Sequence, residues 1–144
     1  MNSTTALGAV VTSVFVALAL WHFRIALSPA SGESGAVPSV SGKPLFVPSA
    51  KATVGVAVVL LCFAGLVAAT AGLVQLPVSQ RILSTLCYVL ALGLLARAVG
   101  EFRYVGFFKR VRGSRFARLD TLVYSPMCVL LAGAVALVAW QHRI

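Results

Sequence analysis

Apolar residues dominate four long stretches of the chain, and polar residues collect between them. The apolar stretches cover about residues 5–27, 52–74, 82–100 and 122–141. None shows an amphipathic stripe; each is apolar on all sides, as a helix facing lipid should be. A hydrocarbon core about 30 Å thick is crossed by about 20 helical residues. Lipid offers no hydrogen bonds to the backbone, so a spanning segment must satisfy its own, which favours helix over strand. The pattern predicts an all-α membrane protein, a four-transmembrane-helix bundle forming a single integral membrane domain over residues 1–144. The first stretch has no basic residue before it and exceeds the 7–15 residues of a signal-peptide apolar region, so it is expected to be retained as a span.

Composition agrees with the pattern. Sixty per cent of the residues are hydrophobic and 10% are charged, against roughly 45–50% and about 25% in soluble domains. Twelve Lys and Arg face three Asp and Glu, for a net charge of +9. A soluble globular enzyme, a disordered tail and a disulfide-stapled secreted module are excluded.

The basic residues also set an orientation. Arg24, Lys43, Lys51, Arg103, Lys109, Arg110, Arg112, Arg115 and Arg118 fall at the loops joining spans 1–2 and 3–4, whereas Arg81 and Arg143 fall on the other side. By the positive-inside rule, loops 28–51 and 101–121 are expected in the cytoplasm and both termini outside.

Residues 28–51 are rich in Ser, Gly and Pro and read as a loop. Within it, Pro44-Leu45-Phe46-Val47-Pro48 is either a linker with a chance apolar patch or a segment that docks back onto the helix ends. Between spans 2 and 3 the connection is short. Pro77 is expected to end the second helix, and the brevity of the connection to make spans 2 and 3 antiparallel neighbours. Ala64, Ala68 and Gly72, and likewise Ala132 and Ala136, recur every fourth residue; small residues at this spacing let helices approach closely, inside a bundle or across a homodimer seam. Pro126 is expected to kink the fourth helix.

Cys62, Cys87 and Cys128 lie singly inside spans and read as small apolar packers, with no disulfide framework. His22 lies roughly 25 Å along the first helix, near the cytoplasmic boundary, and His142 lies beyond the opposite end of the fourth. They cannot share a haem or a metal, and no cofactor or metal site is expected.

The remaining polar groups converge in one layer at the inner boundary: His22, Arg24, Arg97, Glu101, Arg103, Asp120 and Tyr124. Arg97 and Glu101 are four apart and are expected to pair, since an unpaired charge at that depth is costly. The segment 101–120 interleaves six basic residues with Phe102, Tyr104, Phe107, Phe108 and Phe116. This composition fits an interfacial helix in the headgroup layer, and each basic residue near an anionic leaflet contributes about 1 kcal/mol. Nucleic acid is rejected as a partner because the chain has no room for a recognition domain. Membrane lipids, preferably with anionic headgroups, are the expected partners, with a homodimer left open.

Trp21-His22 at the end of the first span, Pro44-x-Phe46-x-Pro48, the run Arg97-Ala-Val-Gly-Glu-Phe-Arg-Tyr-Val-Gly-Phe-Phe-Lys-Arg110 and Asp120-x-x-x-Tyr-Ser-Pro-x-Cys128 resemble a widespread bacterial family of small four-helix membrane proteins catalogued as a domain of unknown function. The resemblance covers nearly the whole chain and implies four spans in the bacterial inner membrane. It implies no activity.

Three functions compete on the residues. The first is binding of an anionic amphiphile at the cytoplasmic face, with Trp21, His22, Arg97, Glu101, Arg103, Tyr104, Lys109, Arg110 and Tyr124 as ligand-binding candidates. The second is an isomerase- or transferase-like membrane enzyme in which Glu101 or His22 moves protons and Tyr124 or Asp120 assists; proton transfer needs such groups, but no phosphate loop, metal cluster or other catalytic motif accompanies them. The third is a small dimeric transporter, which lacks a mid-membrane acid. The first is preferred.

Overall fold

The computed structural model describes residues 3–27, 36–40 and 43–142. Helix α1 is Ser3–Leu27, α2 is Ala50–Thr70 and α3 is Gln80–Val99. The last helical stretch, Arg115–Gln141, consists of α4 (Arg115–Leu119), a π turn over Asp120–Tyr124 and α5 (Ser125–Gln141). All four rods are long and apolar enough to cross a membrane. The first loop also carries a two-residue antiparallel bridge, β1 (Ser39–Val40) with β2 (Lys43–Pro44).

α1 packs along α2, and α3 along α5; contacts between α1 and α5 and between α2 and α3 join the two pairs. The core runs through all four: Val11 and Phe15 from α1, Ala64 and Val67 from α2, Cys87, Leu90 and Ala91 from α3, and Leu131, Ala132, Val135 and Ala139 from α5. Phe15 meets Phe63 edge-on at 5.9 Å between ring centres. Ala64, Ala68 and Ala132 are buried within the chain, so this small-residue surface serves the bundle's own packing, where apolar lipid provides no hydrophobic drive and close approach supplies dispersion contact. Gly8 on α1 also sits at a close approach, where an added Cβ would collide with the Ala71 Cβ.

Several boundaries differ from those the sequence pattern predicts, for local reasons. α2 stops at Thr70, not Val74, and Pro77 is not what stops it. Gly72 adopts φ +74°. Its N–H bonds to Ala69 O at 3.1 Å, and the Leu73 N–H to Ala68 O at 2.9 Å. This pair of bonds is a Schellman ending, which needs a residue that tolerates the left-handed region. Gly72 therefore lies outside the helix rather than on a face with Ala64 and Ala68. Gln80 Nε2 donates to Thr70 O at 2.7 Å, clamping the start of α3 to the end of α2.

The last rod starts at Arg115, ahead of the expected residue 122, because Ser114 caps it: its Oγ accepts from Ala117 N at 3.1 Å. Its irregularity falls one turn before Pro126. The π turn closes with Ser125 N–H donating to Asp120 O. Pro126 has no N–H for the Leu122 carbonyl, and a wider turn just upstream accommodates that gap.

Candidate functional site

The segment between α3 and α4 is not an interfacial helix. Residues 100–114 form a compact non-helical loop, and only its last part joins the fourth rod. Three glycine-dependent or strained positions explain why. Gly100 (φ +81°) ends α3, Phe102 follows at φ +65°, and Gly106 has φ +89°. Gly100 and Gly106 cross backbone to backbone: a Cβ on Gly106 would sit 2.6 Å from Gly100 Cα. Phe107 N–H donates back to Ala98 O at 2.9 Å and Val111 N–H to Arg103 O at 3.0 Å. The loop thus folds over the end of α3 instead of continuing as a helix.

Asp120 is the hub of this fold. It is fully buried in the π turn, and three donors converge on its carboxylate. Arg97 Nη2 reaches Oδ1 at 2.8 Å. Gly106 N–H reaches Oδ2 at 2.7 Å, and Lys109 Nζ reaches Oδ2 at 3.0 Å. Lys109 is 1% exposed and spends its other protons on Gly106 O at 2.8 Å and Thr121 Oγ1 at 2.6 Å. An ammonium has three donors, and all are used. One carboxylate therefore ties α3, the loop and the last rod together.

This arrangement corrects two expectations. Arg97 pairs with Asp120, not with Glu101; the helix ends at Val99, so the i, i+4 geometry is lost. Glu101 turns instead to its own loop, where Oε1 accepts from Tyr104 N at 2.6 Å. Lys109 is buried in the network, with no proton left for a headgroup.

The other predicted residues scatter. Arg103 lies over the Tyr104 ring at 5.1 Å from its centre. Arg110 and Trp21 are exposed, as are Phe102 and Phe108. Tyr124 lies beside Phe116 with ring centres 6.1 Å apart. His22 is part-buried at the end of α1, where Nδ1 donates to Leu18 O at 2.7 Å. It lines a cleft of about 380 Å³ with Phe46, Val47 and Pro48. The Pro-Phe-Pro segment therefore does fold back against the helix ends. This cleft shares no lining residue with the Asp120 network. Arg143, used in the orientation count, lies outside the described residues.

A second recess adjoins the network. Phe107, Arg112, Ala117, Arg118, Thr121 and Leu122 line a groove of about 260 Å³. Neither arginine has a carboxylate partner among the described residues: Asp120 is engaged by Arg97 and Lys109, and Glu101 by Tyr104. Arg112 Nε donates only to Lys109 O, at 3.1 Å. Thr121, on the groove wall, accepts from Lys109 and donates to Ala117 O. Leu122, 76% exposed, carries the groove wall onto the apolar outer surface. Sequence reasoning passed over Arg112, Arg118 and Thr121. Their spacing along the chain shows no pattern, and only the non-helical stretch before the Ser114 cap brings loop and helix arginines to one recess. Among the described residues no three His, Cys, Asp or Glu side chains converge on a common point.

The model of the family described as "Protein of unknown function (DUF3995)" matches residues 15–135. No curated protein and no solved structure matches the chain.

Proposed function

For this chain, which belongs to the family of proteins of unknown function DUF3995, we propose a role as a small bacterial inner-membrane protein that binds an anionic amphiphile at its cytoplasmic face. The observation that carries the proposal is the groove of Arg112, Arg118 and Thr121 beside Leu122 and Phe107. Two guanidinium groups without carboxylate partners among the described residues offer fork-like donors to a phosphate or carboxylate head; the Thr121 hydroxyl proton is already given to Ala117 O. The exposed apolar flank next to them leaves the ligand's chain in the lipid. Lys109 and Arg97 contribute at a distance: two cations share one carboxylate in the network, so the surroundings of the groove stay net positive and favour an anion.

In this reading the basic loops, 28–51 and 101–121, face the cytoplasm and both termini face outward, as the distribution of Lys and Arg indicates. The exposed Phe102 and Phe108 then lie at the headgroup level. Binding is better supported than acid–base catalysis. Glu101 accepts a backbone hydrogen bond, Asp120 is held by three donors, and His22 lines a different recess.

Thermal unfolding in detergent tests the proposal, with 1-oleoyl lysophosphatidic acid as probe. A specific ligand at a hundredfold excess over its Kd stabilises by about 2.7 kcal/mol. The wild type should be stabilised to that order and R112Q/R118Q should not. An equal shift in both proteins would remove the groove from consideration.

A further inference from the structure

The cleft at His22 differs in chemistry from the arginine groove. It lies between the last two turns of α1 (His22, Ile25, Ala26), the first turns of α2 (Ala50, Ala52, Thr53, Val56) and the folded-back Phe46–Pro48 segment. Its volume, about 380 Å³, is at the small end of the roughly 300–1,000 Å³ typical of ligand pockets. Among the described residues, the side chains of the walls are hydrocarbon apart from His22 and Thr53, and none that lines the cleft is charged.

Those two polar side chains have already committed their donors. His22 Nδ1 lies 2.7 Å from Leu18 O; a carbonyl only accepts, so Nδ1 carries the proton. In the neutral ring Nε2 is then an acceptor. Thr53 Oγ1 donates to Ser49 O at 3.1 Å, which leaves its lone pairs. The described polar side chains of the cleft therefore present acceptors and no free donor, while the first N–H groups of α2, at Ala50 on the wall, have no intrahelical partner. A hydroxyl, which both donates and accepts, would find partners of both kinds, whereas an anionic head only accepts and would meet the lone pairs of His22 and Thr53. Phe46 and Val47, both exposed, continue the apolar surface at the rim, where a chain can enter from the lipid.

We propose that this cleft binds an uncharged, single-chain amphiphile whose head donates a hydrogen bond, and that it is a second site, separate from the arginine groove. The two sites share no residue, so either can fail without the other.

Native mass spectrometry of the full chain in mild detergent tests this with two probes, 1-monooleoylglycerol and methyl oleate. They share the oleoyl chain, and only the first has hydroxyl donors. The wild type should retain 1-monooleoylglycerol about tenfold more tightly than methyl oleate, the ratio that a hydrogen bond of about 1.4 kcal/mol gives. H22F should abolish that preference while still admitting the chain. A26W, which fills the cleft from the α1 side, should exclude both probes. R112Q/R118Q should bind both as the wild type does. A wild type that does not discriminate, an H22F protein that keeps the preference, or an A26W protein that binds normally would each overturn the proposal. Losing 1-monooleoylglycerol in R112Q/R118Q would overturn the separation of the sites.

Discussion

Replacing Asp120 by Asn removes one charge and almost no volume, and the structure states what should follow. The carboxylate accepts from Arg97, Gly106 and Lys109. The amide keeps one acceptor oxygen and turns its Nδ2 donors toward groups that also donate. Arg97, whose side chain is 37% exposed, can shift toward water. Lys109, at 1%, cannot. Removing one partner of a buried ion pair costs about 3–5 kcal/mol, because the other charge stays buried. At about 2–4 °C per kcal/mol for a chain near this size, the midpoint should fall by about 6–20 °C. The assay is thermal unfolding in a fixed detergent, followed by intrinsic fluorescence. K109M should cost less, about 1–3 kcal/mol, since Asp120 keeps Arg97 and the Gly106 N–H. D120N/K109M should be less destabilised than the sum of the single variants, by about 1–3 kcal/mol, because the orphaned cation is gone. A D120N protein melting within about 2 °C of the wild type, or strictly additive single effects, would refute the reasoning that Asp120 is the hub.

Further outcomes follow from the same geometry. G106A should lower the melting temperature sharply, because φ +89° is strained for alanine and its Cβ would press on Gly100; G113A, with open space around it, should be near neutral in the same melt. G8A should destabilise by about 1–3 kcal/mol through overpacking against Ala71, while G93A, open to its surroundings, should not. E101Q should leave stability unchanged, because the amide oxygen still accepts from Tyr104 N, whereas E101A should loosen the loop, read as faster amide exchange at Tyr104. Alkaline phosphatase fused after Ile144 should be active and a fluorescent protein fused there dark, if both termini face outward.

The parts of the fold set by composition were legible along the chain. Four uniformly apolar stretches of membrane-crossing length predicted the four rods, and α1 and α3 match to within about two residues, the scatter usual at helix ends. The ends set by single-residue chemistry were harder to read. Gly72 ended α2 ahead of the more conspicuous Pro77, because apolar residues 73 and 74 carried the hydropathy past the left-handed glycine. Ser114 started the last rod inside a basic stretch that hydropathy assigned to the loop. At the site, Arg97 was recognised as a costly charge at the inner boundary and Asp120 was placed in the same layer, but their pairing was missed. Local spacing favours Glu101, four residues along, and that preference holds only if the helix continues past Gly100. Lys109 was read as a surface cation like its neighbours, since nothing in a run of basic residues marks which one turns inward. The Gly100–Gly106 crossing, which shapes the loop around that burial, joins backbones six residues apart and has no period to mark it. The groove arginines were hidden for the same reason: one lies on the loop and the other on the helix.

Native mass spectrometry of the protein as purified from its membrane in mild detergent tests most directly whether the arginine groove holds an anionic head. The wild type should carry a discrete phosphate- or carboxylate-headed lipid adduct, and R112Q/R118Q, folded to the same melting temperature, should lose it. A wild-type protein that emerges bare, or an adduct that survives in R112Q/R118Q, would contradict the account and leave the basic loop as an orienting and membrane-adhering element only.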